Sequence, residues 1–328
     1  MSNTSLKLKT TDRVMTAGSC FAQHIATRLK LNGFNVLDYE PAPKRTSKEW
    51  RAEHGFDIYS ARYGNIYYAR QLVQLIEESE GIFTPEDWIW SKNDRVYDAL
   101  RPSIEPTGWA TESEVVEQRK EHLQAVRRLI RDADVFVFTL GLTEGWEHIS
   151  SGTVYPTAPG TIAGSWDPDT VRFHNFTFPE IVSDMERVFE VVRNVNPDVE
   201  FLLTVSPVAL AATATENNVL VANNYSKSTL RSVAGYLSES YHWVHYFPSY
   251  DLITGVNSGI ALYEPNQRSV HPDTVDIVME KFMTEMLDLS PDAIDPDEKE
   301  DYEQNASVKQ RVFEQRICEE SMLEDFSR

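Results

Sequence analysis

Apolar positions along this chain fall into two kinds of run: short continuous blocks, and longer stretches with helical spacing. Val14 to Ala17 form a short apolar run that ends at Gly18, and from Phe21 the apolar residues recur at Phe21, Ile25, Leu29 and Leu31. That spacing predicts a strand, a tight turn and a helix. Asn35 to Tyr39 read as a second short strand, and residues 65–80 as a helix with Leu72, Leu75 and Ile76 inward and Gly81 as its stop. A long charged helix is predicted over 112–132. Asp134–Leu140 and Glu200–Val205 are continuous runs of β-formers, the pattern of strands buried on both faces of a parallel sheet. Further helices are predicted over 179–195, 223–240 and 274–287, with a strand over 242–247. Residues 84–109, which carry Trp88, Trp90 and Trp109, and residues 152–178 read as long irregular excursions.

Strands alternating with helices predict an α/β domain, a mostly parallel sheet with helices on both faces. Residues 1–290 form this domain. Residues 291–328 differ in composition, being acidic with a charged helical pattern that carries Val308, Val312, Phe313 and Ile317. The net charge of −20 argues against nucleic acid and anionic membrane surfaces as partners. No apolar run reaches membrane-spanning or signal-peptide length, so a cytoplasmic protein is expected. Two cysteines, Cys20 and Cys318, are too few for a disulfide framework.

Candidate chemistry gathers where strands end. Ser19 and Cys20 sit between the first strand and the first helical turn, where unpaired N–H groups and the helix dipole favour a thiolate or an oxyanion. A small pair allowing close strand–helix packing is the plain alternative. In open α/β sheets ligands bind beyond the carboxyl ends of strands, which places Gly141-Leu142-Thr143-Glu144 beside Cys20. His242 and His245 lie three positions apart on a strand, point to opposite faces and make a poor metal pair. Ser226 and Lys227 are adjacent on a helix and do not face each other. Lys227 is better suited to offer its charge to a substrate anion or a nearby acid.

Gly18-Ser19-Cys20-Phe21-Ala22 reproduces the signature of the GSCFA family, and four later segments resemble its further blocks: residues 141–144, 204–208, 225–228 and 246–250. The family resembles the SGNH/GDSL hydrolases. That resemblance implies a flavodoxin-like three-layer α/β/α sandwich and esterase or acyltransferase chemistry, acting on a glycan or other acylated small molecule. It places Cys20 as nucleophile, with Ser19 as the alternative one position earlier, and Gly18, Gly141 and Thr143 around an oxyanion. Thr143 stands where the superfamily has asparagine. Arg268 stands where the aspartate before His271 belongs, so the carboxylate beside that histidine would come from Glu144, Asp251 or Asp273. No cofactor beyond an acyl donor is implied. The two departures support a second reading, a non-catalytic pocket or scaffold for a glycan or protein.

Overall fold

The computed structural model describes residues 6–255, 262–266 and 268–287. The sequence-predicted tail at 291–328, with Cys318, lies outside the described residues. In chain order the elements are β1 (Val14–Gly18), α1 (Ala22–Leu31), α2 (Lys48–Glu53), α3 (Ala69–Ser79), β2 (Ile89–Lys92), β3 (Arg95–Asp98), α4 (Glu112–Asp132) and β4 (Val135–Leu140). There follow β5 (Glu144–His148), β6 (Val154–Tyr155), β7 (Val171–Asn175), α5 (Phe178–Val195), β8 (Glu200–Val205), α6 (Val219–Ser240), β9 (Val244–Phe247), α7 (Ser249–Thr254) and α8 (Pro272–Met286).

The central sheet is parallel, in the order β1-β4-β8-β9. The strand expected at 35–39 contributes a single parallel bridge, Val36 to Val14. Counting that bridge, the spatial order is that of flavodoxin-like doubly wound sheets, and the chain reverses direction between β1 and β4. Alternate residues of each strand face opposite layers. Phe136, Phe138 and Leu140 pack with Leu72, Val126, Met185 and Leu230 of α3, α4, α5 and α6. Val135 and Val137 pack with Ile25, Val278 and Phe282 of α1 and α8. The result is a three-layer α/β/α arrangement with helices on both faces, as the alternation predicted. No helix among the described residues is long and apolar enough to cross a membrane.

The two irregular excursions hold more structure than the sequence pattern predicted. In the first, β2 and β3 form an antiparallel hairpin whose turn residues Asn93 and Asp94 have φ of 51° and 58°. Positive φ at both central positions is the twist-matched geometry for a two-residue hairpin. Trp90 of this hairpin is buried against Tyr155, so it serves packing. The Gly141–Trp146 loop and the second excursion combine into a three-stranded antiparallel sheet, β6-β5-β7.

A buried ionic network joins the first excursion to the helices. Asp98 accepts from Arg101 Nε at 2.7 Å and faces Arg119 Nη1 at 3.5 Å. Arg119 also pairs with Glu78 on α3. Arg101 stands 3.5 Å from Glu40, which accepts from His122 Nδ1 at 2.6 Å. Burial, reinforced by Arg101, outweighs Glu40 and pushes the His122 imidazole down to about 4. His122 is therefore neutral at pH 7 and donates its Nδ1 proton to the Glu40 carboxylate.

Candidate active site at the carboxyl edge of the sheet

Gly18 ends β1 with φ of 139°, beside Thr139 of β4. A Cβ at Gly18 would lie 2.6 Å from the Thr139 carbonyl oxygen. Only glycine lets the two strands stay paired while the chain swings out. Gly18→Ala is therefore expected to cost about 1–3 kcal/mol in backbone strain alone. A urea melt checks this, and a midpoint equal to that of the wild type would contradict it.

Past Gly18, Ser19-Cys20-Phe21 makes a tight first turn. The N–H groups of Ala22, Gln23 and His24 donate to the carbonyls of Ser19, Cys20 and Phe21, three residues back in each case. No side chain caps this helix start. Cys20 thus sits at the positive end of α1 and is half-buried, whereas Ser19 is buried, with its Oγ inaccessible and without a hydrogen-bond partner among the described residues. Tyr59 Oη donates to the Ser19 carbonyl at 3.0 Å and holds the turn from below.

The facing wall is the loop after β4. Gly141 N–H and Leu142 N–H both donate to the Tyr67 carbonyl, at 3.0 and 2.8 Å. Thr143 N–H donates to Ser226 Oγ at 3.1 Å, and Thr143 Oγ1 is buried with no partner among the described residues. Gly141 is packed so closely that a Cβ there would lie 2.8 Å from Ser19 Cβ. The Lys227 ammonium, from a residue 1% exposed, donates to the Gly141 carbonyl at 2.7 Å. Ser226 and Lys227, neighbours on α6, thus both serve this loop, one through Thr143 and the other through Gly141.

The cleft between these walls has a volume of about 210 Å³, part of it open to solvent, and gathers Ser19, Cys20, Gly141 and Lys227. Tyr67, Leu142, Ser206 and Val208 complete its described lining. Ser206 and Val208 follow a core strand, so the strand-end rule that pointed to Gly141 applies to them too. Nothing in the sequence marks Tyr67, which acts through its backbone carbonyl.

His271 is not among those lining residues. It caps α8, its Nδ1 accepting the Asp273 N–H at 3.3 Å, with the Asp273 carboxylate 3.7 Å away. Its position along the sheet follows from the other end of the helix. Leu8, ahead of β1, donates to the Met286 carbonyl at 2.7 Å, so α8 ends at the amino edge of the sheet and begins at the carboxyl edge. Arg268 points its Nε to the Ala209 carbonyl at 3.2 Å. Of the three carboxylates considered for His271, Asp251 accepts from Arg231 and Tyr246. Glu144 accepts from Thr213 Oγ1 at 2.7 Å and Ala214 N–H at 3.2 Å. Asp273 is the one beside the imidazole.

The cysteine turn lies at the switch point of a doubly wound sheet, between β1 and β4, the position at which open α/β sheets as a class bind ligands. The chain belongs to the GSCFA family, whose model matches residues 13–282. No curated protein matches it. Among solved structures it is similar to the salicylyl-acyltransferase SsfX3 from a tetracycline biosynthetic pathway, at 19% identity and a TM-score of 0.28. That match covers 49% of this chain and 40% of the acyltransferase chain. A likeness this slight carries no argument about the present chain.

Proposed function

We propose that this protein is an acyl-transfer enzyme in which Cys20 forms a thioester with the acyl group of an ester or thioester donor. The observation that carries the reading is the half-buried Cys20 in the turn that leads into α1, sharing a cleft with Lys227. Both the helix N-terminus and a nearby cation favour the thiolate, the reactive form. The Cys20 Sγ–carbon bond forms as the acyl carbon's bond to the donor's oxygen or sulfur breaks. The proton given up by the thiol passes to the leaving group, with His271 at the same edge as its carrier. Water or an acceptor hydroxyl then attacks the thioester, regenerating the thiol and giving hydrolysis or transfer.

Intact-mass analysis after brief exposure to p-nitrophenyl acetate tests this reading. One acetyl group on Cys20 is the expected result; an unmodified protein, or acetyl only on surface lysines, would overturn it.

A specific observation favours the second reading, a non-catalytic binding protein. The Gly141, Leu142 and Thr143 N–H groups, where an oxyanion hole is expected, are all engaged within the protein. The Ala22, Gln23 and His24 N–H groups are engaged likewise, so in the enzymatic reading the oxyanion is stabilised by the positive end of the α1 dipole rather than by free N–H donors.

A further inference from the structure

Residues 59–67, in the connection from α2 to α3, are hydrogen-bonded to both walls of the cleft. On the Cys20 side, Ile66 N–H donates to the Gly18 carbonyl at 3.0 Å, and Tyr59 Oη donates to the Ser19 carbonyl at 3.0 Å. On the facing side, the Tyr67 carbonyl takes the Gly141 and Leu142 N–H groups. Asn65 joins the two sides. Its Nδ2 donates to Tyr67 Oη at 3.1 Å, and its Oδ1 lies 2.9 Å from Tyr59 Oη.

The Tyr59 hydroxyl has one proton and faces two acceptors here, the Ser19 carbonyl and Asn65 Oδ1. Gln23, on the first turn of α1, decides between them. Its Nε2 donates to Asn65 Oδ1 at 3.3 Å and to Tyr59 Oη at 3.2 Å. The Asn65 oxygen is thus supplied by the amide, and the Tyr59 proton goes to the Ser19 carbonyl. Tyr59 is 2% exposed and Gln23 6%, so water competes little for these groups. The Ser19 carbonyl shares one planar peptide unit with the Cys20 nitrogen. A donor on that oxygen fixes the plane from which the Cys20 side chain projects, and it polarises the peptide at the positive end of α1.

Resting on the acyl-transfer reading above, we infer that Tyr59 and Gln23 are positioning residues for the Cys20 thiol. Tyr59 acts through the Ser19 carbonyl, and Gln23 acts through Tyr59 by directing its proton. Neither touches substrate.

The test uses Tyr59→Phe, which keeps the ring and removes the proton, and Gln23→Met, which keeps the length and removes the amide. Acetylation of Cys20 by p-nitrophenyl acetate is followed by intact mass, and the pH midpoint of iodoacetamide labelling is measured in a Cys318→Ser background. Tyr59→Phe is expected to slow acetylation roughly tenfold, the scale of a small misplacement of a reacting group, and to move the labelling midpoint up. Gln23→Met is expected to move both readouts the same way. The double variant should be no slower than Tyr59→Phe, because the two residues act in series. A rate and a midpoint equal to the wild type in Tyr59→Phe would overturn the inference and leave the acyl-transfer reading standing, whatever a urea melt shows. So would a double variant in which the two single effects multiply. Should Tyr59→Phe fail to fold, Gln23→Met is read by itself, and an unchanged rate and midpoint there would overturn the inference equally. No acetylation of Cys20 in the wild type would overturn both.

Discussion

Replacing Cys20 with alanine is expected to abolish acylation by p-nitrophenyl acetate outright, while Ser19→Ala acylates normally. The contrast follows from accessibility. Ser19 is 3% exposed and its Oγ is inaccessible, whereas Cys20 is half-buried and lines the cleft. The two residues also differ in what they need. A serine nucleophile depends on a base within hydrogen-bond reach, and Ser19 Oγ has no partner among the described residues. A thiol at a helix N-terminus that shares a cleft with a lysine is biased towards its anion. Removing the Ser19 hydroxyl takes away a buried, unpaired polar atom and leaves packing nearly unchanged, so folding is not at risk. Intact mass of each variant after a single exposure reads both outcomes. Full acylation of Cys20→Ala at Ser19 would reverse the assignment.

Asp98→Ala is expected to lower stability by roughly 3–5 kcal/mol, the range for removing one partner of a buried ion pair. Burial by itself pushes the Asp98 carboxyl up, yet Arg119 and Arg101 outweigh it and hold it below its ordinary value. Asp98 is fully buried, and Arg101 is 1% exposed. Alanine would leave both guanidinium groups short of an acceptor in a place water does not reach. The cost propagates towards the site. Arg119 and Glu78 tie α4 to α3, and the residues that lead into α3 include Tyr67, whose carbonyl receives Gly141 and Leu142. Urea denaturation followed by far-UV circular dichroism measures the loss. A shift of less than about 1 kcal/mol would mean that solvent relieves the two arginines.

How much of this was legible beforehand depended on whether the determining contacts were local. The core strands β4 and β8 announce themselves because both faces are covered, which turns alternation into a continuous run such as Val135-Phe136-Val137-Phe138. The long helix α4 was legible over its full length. By contrast β5, reading Glu-Gly-Trp-Glu-His, belongs to a small antiparallel sheet, and its glycine and charged residues hide the strand pattern. The hairpin of β2 and β3 was signalled only by Asn93-Asp94, one step from the usual Asn-Gly or Asp-Gly turn. α6 starts at Val219, four residues ahead of its predicted start. Asn218 caps it there through Leu220 N–H, and the exposed Leu220 and Val221 gave no amphipathic signal.

The candidate site divides in the same way. The Gly18-Ser19-Cys20 turn was legible because strand, glycine and helix are contiguous. The floor was not. It relies on a backbone carbonyl from Tyr67 and a hydroxyl from Ser226, groups that every sequence contains in abundance. Lys227 was singled out for its charge, but its partner, the Gly141 carbonyl, could come only from the fold.

The most direct measurement is the pH dependence of Cys20 alkylation by iodoacetamide in a Cys318→Ser background, with Lys227→Met and His271→Ala alongside. An activated thiolate should label rapidly near neutral pH, with an apparent pKa at least about one unit below the ordinary thiol value of roughly 8.5. Lys227→Met should move that midpoint up and slow labelling at pH 7 by about tenfold for each unit moved. His271→Ala should slow it as well if the imidazole serves the thiol. Slow labelling with a midpoint at or above the ordinary thiol value, the same in all three proteins, would contradict the assignment of Cys20 as nucleophile and leave the binding-protein reading in its place.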